Sequence, residues 1–167
     1  NFTTNVVSIG GTAEFVVHYA DLDIDGDIDF VTRRGVGLNN ELIVGTNNGS
    51  QIFAISVVRT LTSGDFESVM IVDIDGDCDG DIAYASTNTS ETVAWIENRS
   101  TSSTAPNVLP SSFATAGSDI VGVAFNAGLE TDFVAVSSAA NDIALWTEDV
   151  TDANFGSCAY VNACTRA

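Results

Sequence analysis

Asp21-Leu22-Asp23-Ile24-Asp25-Gly26-Asp27-Ile28-Asp29 and Asp73-Ile74-Asp75-Gly76-Asp77-Cys78-Asp79-Gly80-Asp81 are two versions of one phrase, set 52 positions apart. In both, an acid stands at every odd position, so ten of the chain's 23 acidic residues fall in these two windows. Carboxylates packed that densely repel one another at neutral pH unless a cation neutralises them. Two solvated acidic turns are the plain alternative. The strict alternation, kept in two copies, argues against it.

Working outward, the flanks repeat as well. Ala20 before the first window and Phe30-Val31 after it match Val72 and Ile82-Ala83 around the second. A third copy, 51 positions on, reads Ala124 to Val134; it has lost most of its acids but keeps Asp132-Phe133-Val134. Ala94-Trp95-Ile96-Glu97-Asn98 lines up with Leu145-Trp146-Thr147-Glu148-Asp149 and, one unit earlier, with Ile43-Val44-Gly45-Thr46-Asn47. Upstream of the windows, Asn5 to Gly10 resembles Ser56 to Leu61. Such a fixed period is the signature of a repeat architecture.

Within the second unit the apolar runs are Phe66–Val72, Asp81–Ala85, Thr92–Glu97 and Val108–Phe113. They have strand length, are rich in β-branched and aromatic residues, and are divided by polar turns. No segment sustains a 3.6-residue period, so almost no helix is expected. The predicted fold is all-β: about three four-stranded antiparallel blades of propeller type, with a period of about 51 residues. Residues 1–14 read as the outer strand of a preceding blade, centred on Asn5–Ile9. Blade 1 covers 15–63, blade 2 covers 64–117, and a degenerate blade 3 with a Cys-containing C-terminal segment covers 118–167. Each acidic window joins the first and second strands of its blade.

The alternating Asp phrase followed downstream by Trp95-Ile96-Glu97-Asn98 resembles the FG-GAP/VCBS repeats of integrin-type β-propellers. The resemblance spans nearly the whole chain, strongly in units one and two and weakly in unit three. It implies an extracellular setting and an acidic loop that holds calcium. Proteins with such repeats include adhesion receptors, lectins and accessory domains of secreted enzymes, so the resemblance leaves function open.

Calcium takes six to eight oxygen ligands. Carboxylates at positions 1, 3, 5 and 9 of a tight loop, with a backbone carbonyl at position 7, supply them. The expected ligands are Asp21, Asp23, Asp25, Asp27 through its carbonyl and Asp29 in the first site. In the second they are Asp73, Asp75, Asp77, Asp79 through its carbonyl and Asp81. An EF-hand would need Glu at position 12, where Thr32 and Tyr84 stand, and helical flanks where strands are expected. Gly26 suits the turn at position 6; Cys78 at that place in the second loop departs from the pattern. Ala124, Asn126 and Gly128 replace the first three ligands in unit three, so two calcium ions and not three are expected. Leu22, Ile24 and Ile74 are expected to face the core.

The remaining features bound the setting. With 23 acids, five Arg and no Lys, a net charge of −18 excludes ordinary nucleic-acid binding and disfavours anionic membranes. No apolar run of about 18 residues and no signal-peptide pattern occur, so no membrane insertion is expected. Sequons stand at Asn1, Asn48, Asn88 and Asn98, and Cys158 and Cys164 could close a small disulfide loop, leaving Cys78 unpaired. His18 reads as a buried or half-buried strand residue, and Trp95 and Trp146 as packing residues. No P-loop, dinucleotide, zinc or nucleophile-elbow motif is present, and the reading is of a protein that is not an enzyme. Open blade edges favour self-association. The expected role is therefore structural or adhesive: a secreted glycoprotein assembling head to tail into a ring or filament. A glycan-binding lectin module and an accessory domain of a secreted enzyme are the alternatives.

Overall fold

The computed structural model describes residues 6–74, 79–98, 107–108, 119–123, 132–137 and 142–146. Among these residues the secondary structure is entirely β. The first antiparallel sheet is β1 (Thr12–Ala20), β2 (Asp29–Val36), β3 (Asn39–Asn47) and β4 (Phe53–Leu61), paired in chain order. The second is β5 (Phe66–Val72), β6 (Asp81–Ser86), β7 (Val93–Ile96) and β8 (Asn107–Val108), again in chain order. The third places β10 (Asp132–Ser137) between β9 (Asp119–Val123) and β11 (Asp142–Trp146). First strands meet across the sheets: β1 lies against β5, and β5 against β9. The described residues form no closed ring of sheets. No helix among them is long and apolar enough to cross a membrane.

Each strand follows from its pattern. In β6 every residue is buried, because this inner strand has a sheet on either side. Ile82 and Tyr84 join the core shared with the first sheet, whereas Ala83 and Ala85 pack with Ile74 and Val93 on the other face. The alternation assigns each residue to one face. The shared core sets Leu22, Val31, Leu42, Val44 and Leu61 against Phe66, Val69, Ile82, Tyr84, Ala94 and Ile96. Phe66 and Tyr84 meet edge to face, 5.1 Å between ring centroids. At the rim of this contact Arg59 of β4 forms an ion pair with Glu91 of the second sheet, and the Tyr84 hydroxyl donates to Glu91 Oε2 at 2.7 Å. Burial, and then this hydrogen bond, push the Tyr84 phenol well above its ordinary pKa.

Two expectations are corrected. Val6–Ile9 form no strand: Gly10 and Gly11, at φ of 66° and 64°, turn the chain just before β1, and Arg34 Nη1 donates to the Ile9 carbonyl. β1 begins at Thr12, inside the segment assigned to a preceding blade. In the third sheet Trp146 pairs with Phe133, whereas Trp95 pairs with Ala83. A strict repeat would put Val134 there, so β11 has slipped by one residue, which exchanges the faces of a strand. Of the run expected at Val108–Phe113, β8 holds Val108, and 109–113 lie outside the described residues.

Two cross-strand rows reveal how the first two sheets correspond. Val17–Thr32–Ile43–Val57 and Tyr19–Phe30–Gly45–Ile55 run across the first sheet. Val69–Tyr84–Ala94–Val108 and Ile71–Ile82–Ile96 run across the second. Val69, Tyr84, Ala94, Ile82 and Ile96 of the second sheet's rows lie in the core shared with the first sheet, and Val69 is 1% exposed; its counterpart Val17 is 60% exposed. Where the second sheet pairs Ile82 with Ile96, the first pairs Phe30 with Gly45. A Cβ on Gly45 would lie 2.3 Å from Phe30 Cε1, so the large ring occupies the space the glycine leaves. Gly45→Ile is expected to cost about 1–3 kcal/mol in urea denaturation. The double variant Phe30→Ile/Gly45→Ile, which copies the second sheet, is expected to recover most of that loss.

Candidate metal centre

The first acidic loop closes on itself because its ends are paired: Ala20 of β1 lies opposite Asp29 of β2. Inside, the Asp21 carboxylate accepts hydrogen bonds from the Asp25 amide at 3.1 Å and the Gly26 amide at 2.9 Å. Asp25 Oδ1 accepts from the Asp27 amide at 2.9 Å. Gly26 has φ of 94°, the left-handed backbone expected at position 6. Ile24 also has positive φ, 60°, unusual for a β-branched residue. That turn swings its side chain outward, and Ile24 is 69% exposed instead of facing the core as expected. Leu22 and Ile74 do face the core.

Asp29 is 1% exposed and holds the loop from inside. Its Oδ2 accepts from the Leu22 amide at 2.8 Å and its Oδ1 from the Asn47 amide, at the end of β3, at 2.7 Å. The second loop repeats this arrangement. Asp81, fully buried, accepts from the Ile74 amide at 2.9 Å and from the Asn98 amide, just past β7, at 2.8 Å. One acid per loop thus fastens loop and third strand together. Asp75, Asp77 and Cys78 lie outside the described residues, as do Ala124, Asn126 and Gly128.

Asp21, Asp23 and Asp29 each bring one carboxylate oxygen within 4.8 Å of the others. Oxygens sharing an ion at about 2.4 Å can lie no more than ~4.8 Å apart, so this set has the dimensions of a cation site. Three carboxylates, with no nitrogen or sulfur, form a hard donor set of the kind that suits calcium, magnesium or manganese. Asp25, expected as a carboxylate ligand, is not in the group; Asp27 is expected to bind through its backbone carbonyl and not its carboxylate. Asp25 is occupied with the Asp27 amide, and the Asp27 carboxylate leans over Gly49, where a Cβ would come within 2.6 Å of its Oδ2. Desolvation, then the charges of Asp29 and Asp25, raise the Asp23 carboxyl above its ordinary pKa. A cation beside the exposed Asp23 would favour its ionised form.

The other candidates are placed as follows. Asn48 and Asn88 sit in turns where their Oδ1 atoms accept from the amides of Ser50 and Ser90. Asn98 is engaged differently: its Nδ2 donates to the Leu22 carbonyl at 2.6 Å, across the two sheets. Trp95 is half-buried against Ile74, Ala83, Ala85 and Val93, and His18 is half-buried on β1, as expected. Asn1, Cys158 and Cys164 and the Trp146 side chain lie outside the described residues. Sequence reasoning missed the part of Asn47 and Asn98, although both recur at the end of the third strand. It also missed the Arg59–Glu91 pair, which leaves no periodic trace. No protein-family model, curated protein or solved structure matches the chain.

Asp29→Asn is expected to destabilise the fold by about 1–3 kcal/mol with or without chelator, because a buried amide loses its acceptor. Asp81→Asn should do the same. Asp23→Asn should act oppositely. A carboxyl whose folded pKa is raised contributes stability below its unfolded value and loses it as pH climbs through the folded one. At pH 7 its charge therefore opposes folding, and Asp23→Asn should raise the melting temperature in EGTA while lowering calcium affinity. Calorimetric melts in EGTA and in calcium distinguish the two behaviours.

Proposed function

We propose that this chain is a calcium-binding, FG-GAP/VCBS-like repeat protein that acts outside the cell as a structural or adhesive element. Its sheets serve as propeller-type blades. The observation that carries the reading is the convergence of Asp21, Asp23 and Asp29 on one point, with Asp29 locked from inside. A calcium ion there neutralises carboxylates that otherwise repel and fixes the loop between β1 and β2. The matching bonds of Asp81 extend the reading to a second ion in the second loop. The ions thus act on structure, not on a substrate, and no catalytic step is assigned.

Self-association rests on a separate observation. The rows headed by Val17 and Tyr19 correspond to rows of the second sheet that pack against the first, yet Val17 and Tyr19 are largely exposed. A further sheet of the same kind, from another copy, would cover them. Such a head-to-tail contact uses different surfaces on the two partners and closes into a ring or extends into a filament. Half-buried packing of Trp95 against Ile74 and Val93 makes it a poor sugar platform, so the lectin reading is not preferred.

Calorimetric titration is expected to give two calcium ions per chain, with magnesium bound more weakly. Saturation at 100 times Kd should stabilise the fold by roughly 2.7 kcal/mol per site. Light scattering and negative-stain microscopy should show assemblies in calcium that shrink on adding EGTA and are lost in Val17→Glu/Tyr19→Glu. An unchanged melting temperature in calcium would sink the metal reading. A monomer at micromolar concentration under both conditions would sink the assembly.

A further inference from the structure

We infer that the turn at Asn48-Gly49 is a spontaneous modification site, where the Asn48 carboxamide cyclises onto the Gly49 amide nitrogen and reopens as aspartate and isoaspartate. The inference stands whether or not the acidic loops hold an ion. Asn48-Gly49 is the single Asn-Gly pair in the chain. It lies between β3 and β4, where Asn48, Gly49, Ser50 and Gln51 are all exposed. Glycine has no side chain to shield its own amide nitrogen. Two Asx turns overlap at this point. Asn48 Oδ1 accepts from the Ser50 amide at 3.0 Å, and Asn47 Oδ1 accepts from the Gly49 amide at 3.2 Å. The first folds the Asn48 carboxamide back over the chain, toward the Gly49 nitrogen. It also aims an N–H at the oxygen on which negative charge develops during the attack, and such a donor stabilises the tetrahedral intermediate. The second bond is at the long end of the range and goes to a neutral acceptor, so it holds the Gly49 proton weakly.

Other asparagines are held back. Asn40 Nδ2 donates to the Gly64 carbonyl and to Asp65, Asn47 Nδ2 to the Ile28 carbonyl, and Asn98 Nδ2 to the Leu22 carbonyl. Asn88 makes the same Asx turn, onto the Ser90 amide, but Thr89 follows it, and a branched side chain crowds the attacking nitrogen. In the reaction the Gly49 nitrogen gives its proton to hydroxide and bonds to Asn48 Cγ. The Cγ–Nδ2 bond breaks, and ammonia leaves with a proton from water. Water then opens the imide ring. Attack at Cγ gives aspartate. Attack at the main-chain carbonyl gives isoaspartate, whose chain runs through Cβ and is one atom longer. The balance is one water taken up and one ammonia released, with no oxidant or reductant. Either product sets a carboxylate in the turn that the Asp27 carboxylate already approaches at Gly49. That turn also carries Asn47, whose amide donates to Asp29. The modification therefore adds negative charge beside the first acidic loop.

The test uses the full chain made in the bacterial cytosol, so that Asn48 carries no sugar. The protein is held at physiological temperature, at neutral and at mildly alkaline pH, and followed by peptide mass spectrometry. The peptide containing Asn48 should gain the mass of exchanging NH2 for OH before any other described asparagine converts, Asn88 included. It should split into two chromatographic forms, take up one heavy oxygen from labelled water and convert faster at the higher pH. Asn48→Gln, whose longer side chain closes the ring far more slowly, should keep its mass over the same period. Thr89→Gly, on an exposed turn, should bring Asn88 up toward the rate of Asn48. An Asn48 that stays intact while another described asparagine converts would overturn the inference. So would aspartate formed with no isoaspartate, which would mean direct hydrolysis without the ring.

Discussion

A buried carboxylate that accepts two backbone amides is the constraint on which the rest of this structure hangs. Asp29 and Asp81 each take one amide from the start of an acidic loop and one from the end of the third strand. Burying a charge is costly unless it is fully hydrogen-bonded, and bonds to a charged acceptor are the strong ones. Each such acid therefore fixes three segments at once: the loop, the second strand that carries the acid, and the third strand. With the loop fixed, Leu22 and Ile74 drop into the two cores, and the outer acids of the first loop are left facing one another. The acidic loop is thus part of the sheet's own framework.

The architecture was largely legible because a strand has a period of two and a repeat has a fixed offset. Phe66–Val72 shows strand composition in sequence and is a strand in the structure, and each acidic loop joins the first and second strands of its sheet. What could not be read was whatever depends on partners distant in sequence or on a single dihedral angle. Ile24 looks like a core residue beside Leu22, but its left-handed backbone turns it to solvent. Asp25 and Asp29 look alike in the phrase, yet one caps an internal amide and the other is sealed in the interior. The slip of β11 could not be foreseen from the Trp95–Trp146 offset, because spacing along the chain does not set register between strands.

Two of the chain's five arginines are committed to particular acids. Arg34 pairs with Glu41, its cross-strand partner, and Arg59 with Glu91 on the adjoining sheet. The Glu91 hydrogen bond, foremost, makes the Arg59 guanidinium still harder to deprotonate, and Glu91 also receives the buried Tyr84 hydroxyl. That three-residue clamp holds the first sheet to the second at the far side of the same core that Leu22 and Val44 fill. Acidic loops and clamp therefore act on one interface from two ends.

The exchange of bulk between Phe30 and Gly45 has a genetic consequence. Tandem units diverge by substitution and are drawn together again by recombination between their copies. In this chain a short conversion tract that carried Ile96 into the position of Gly45, without also carrying Ile82 into that of Phe30, would drive a branched side chain into an aromatic ring. Tracts spanning both the second and third strands escape that cost. Packing across one strand pair thus penalises short tracts and slows the homogenising of the two units piece by piece.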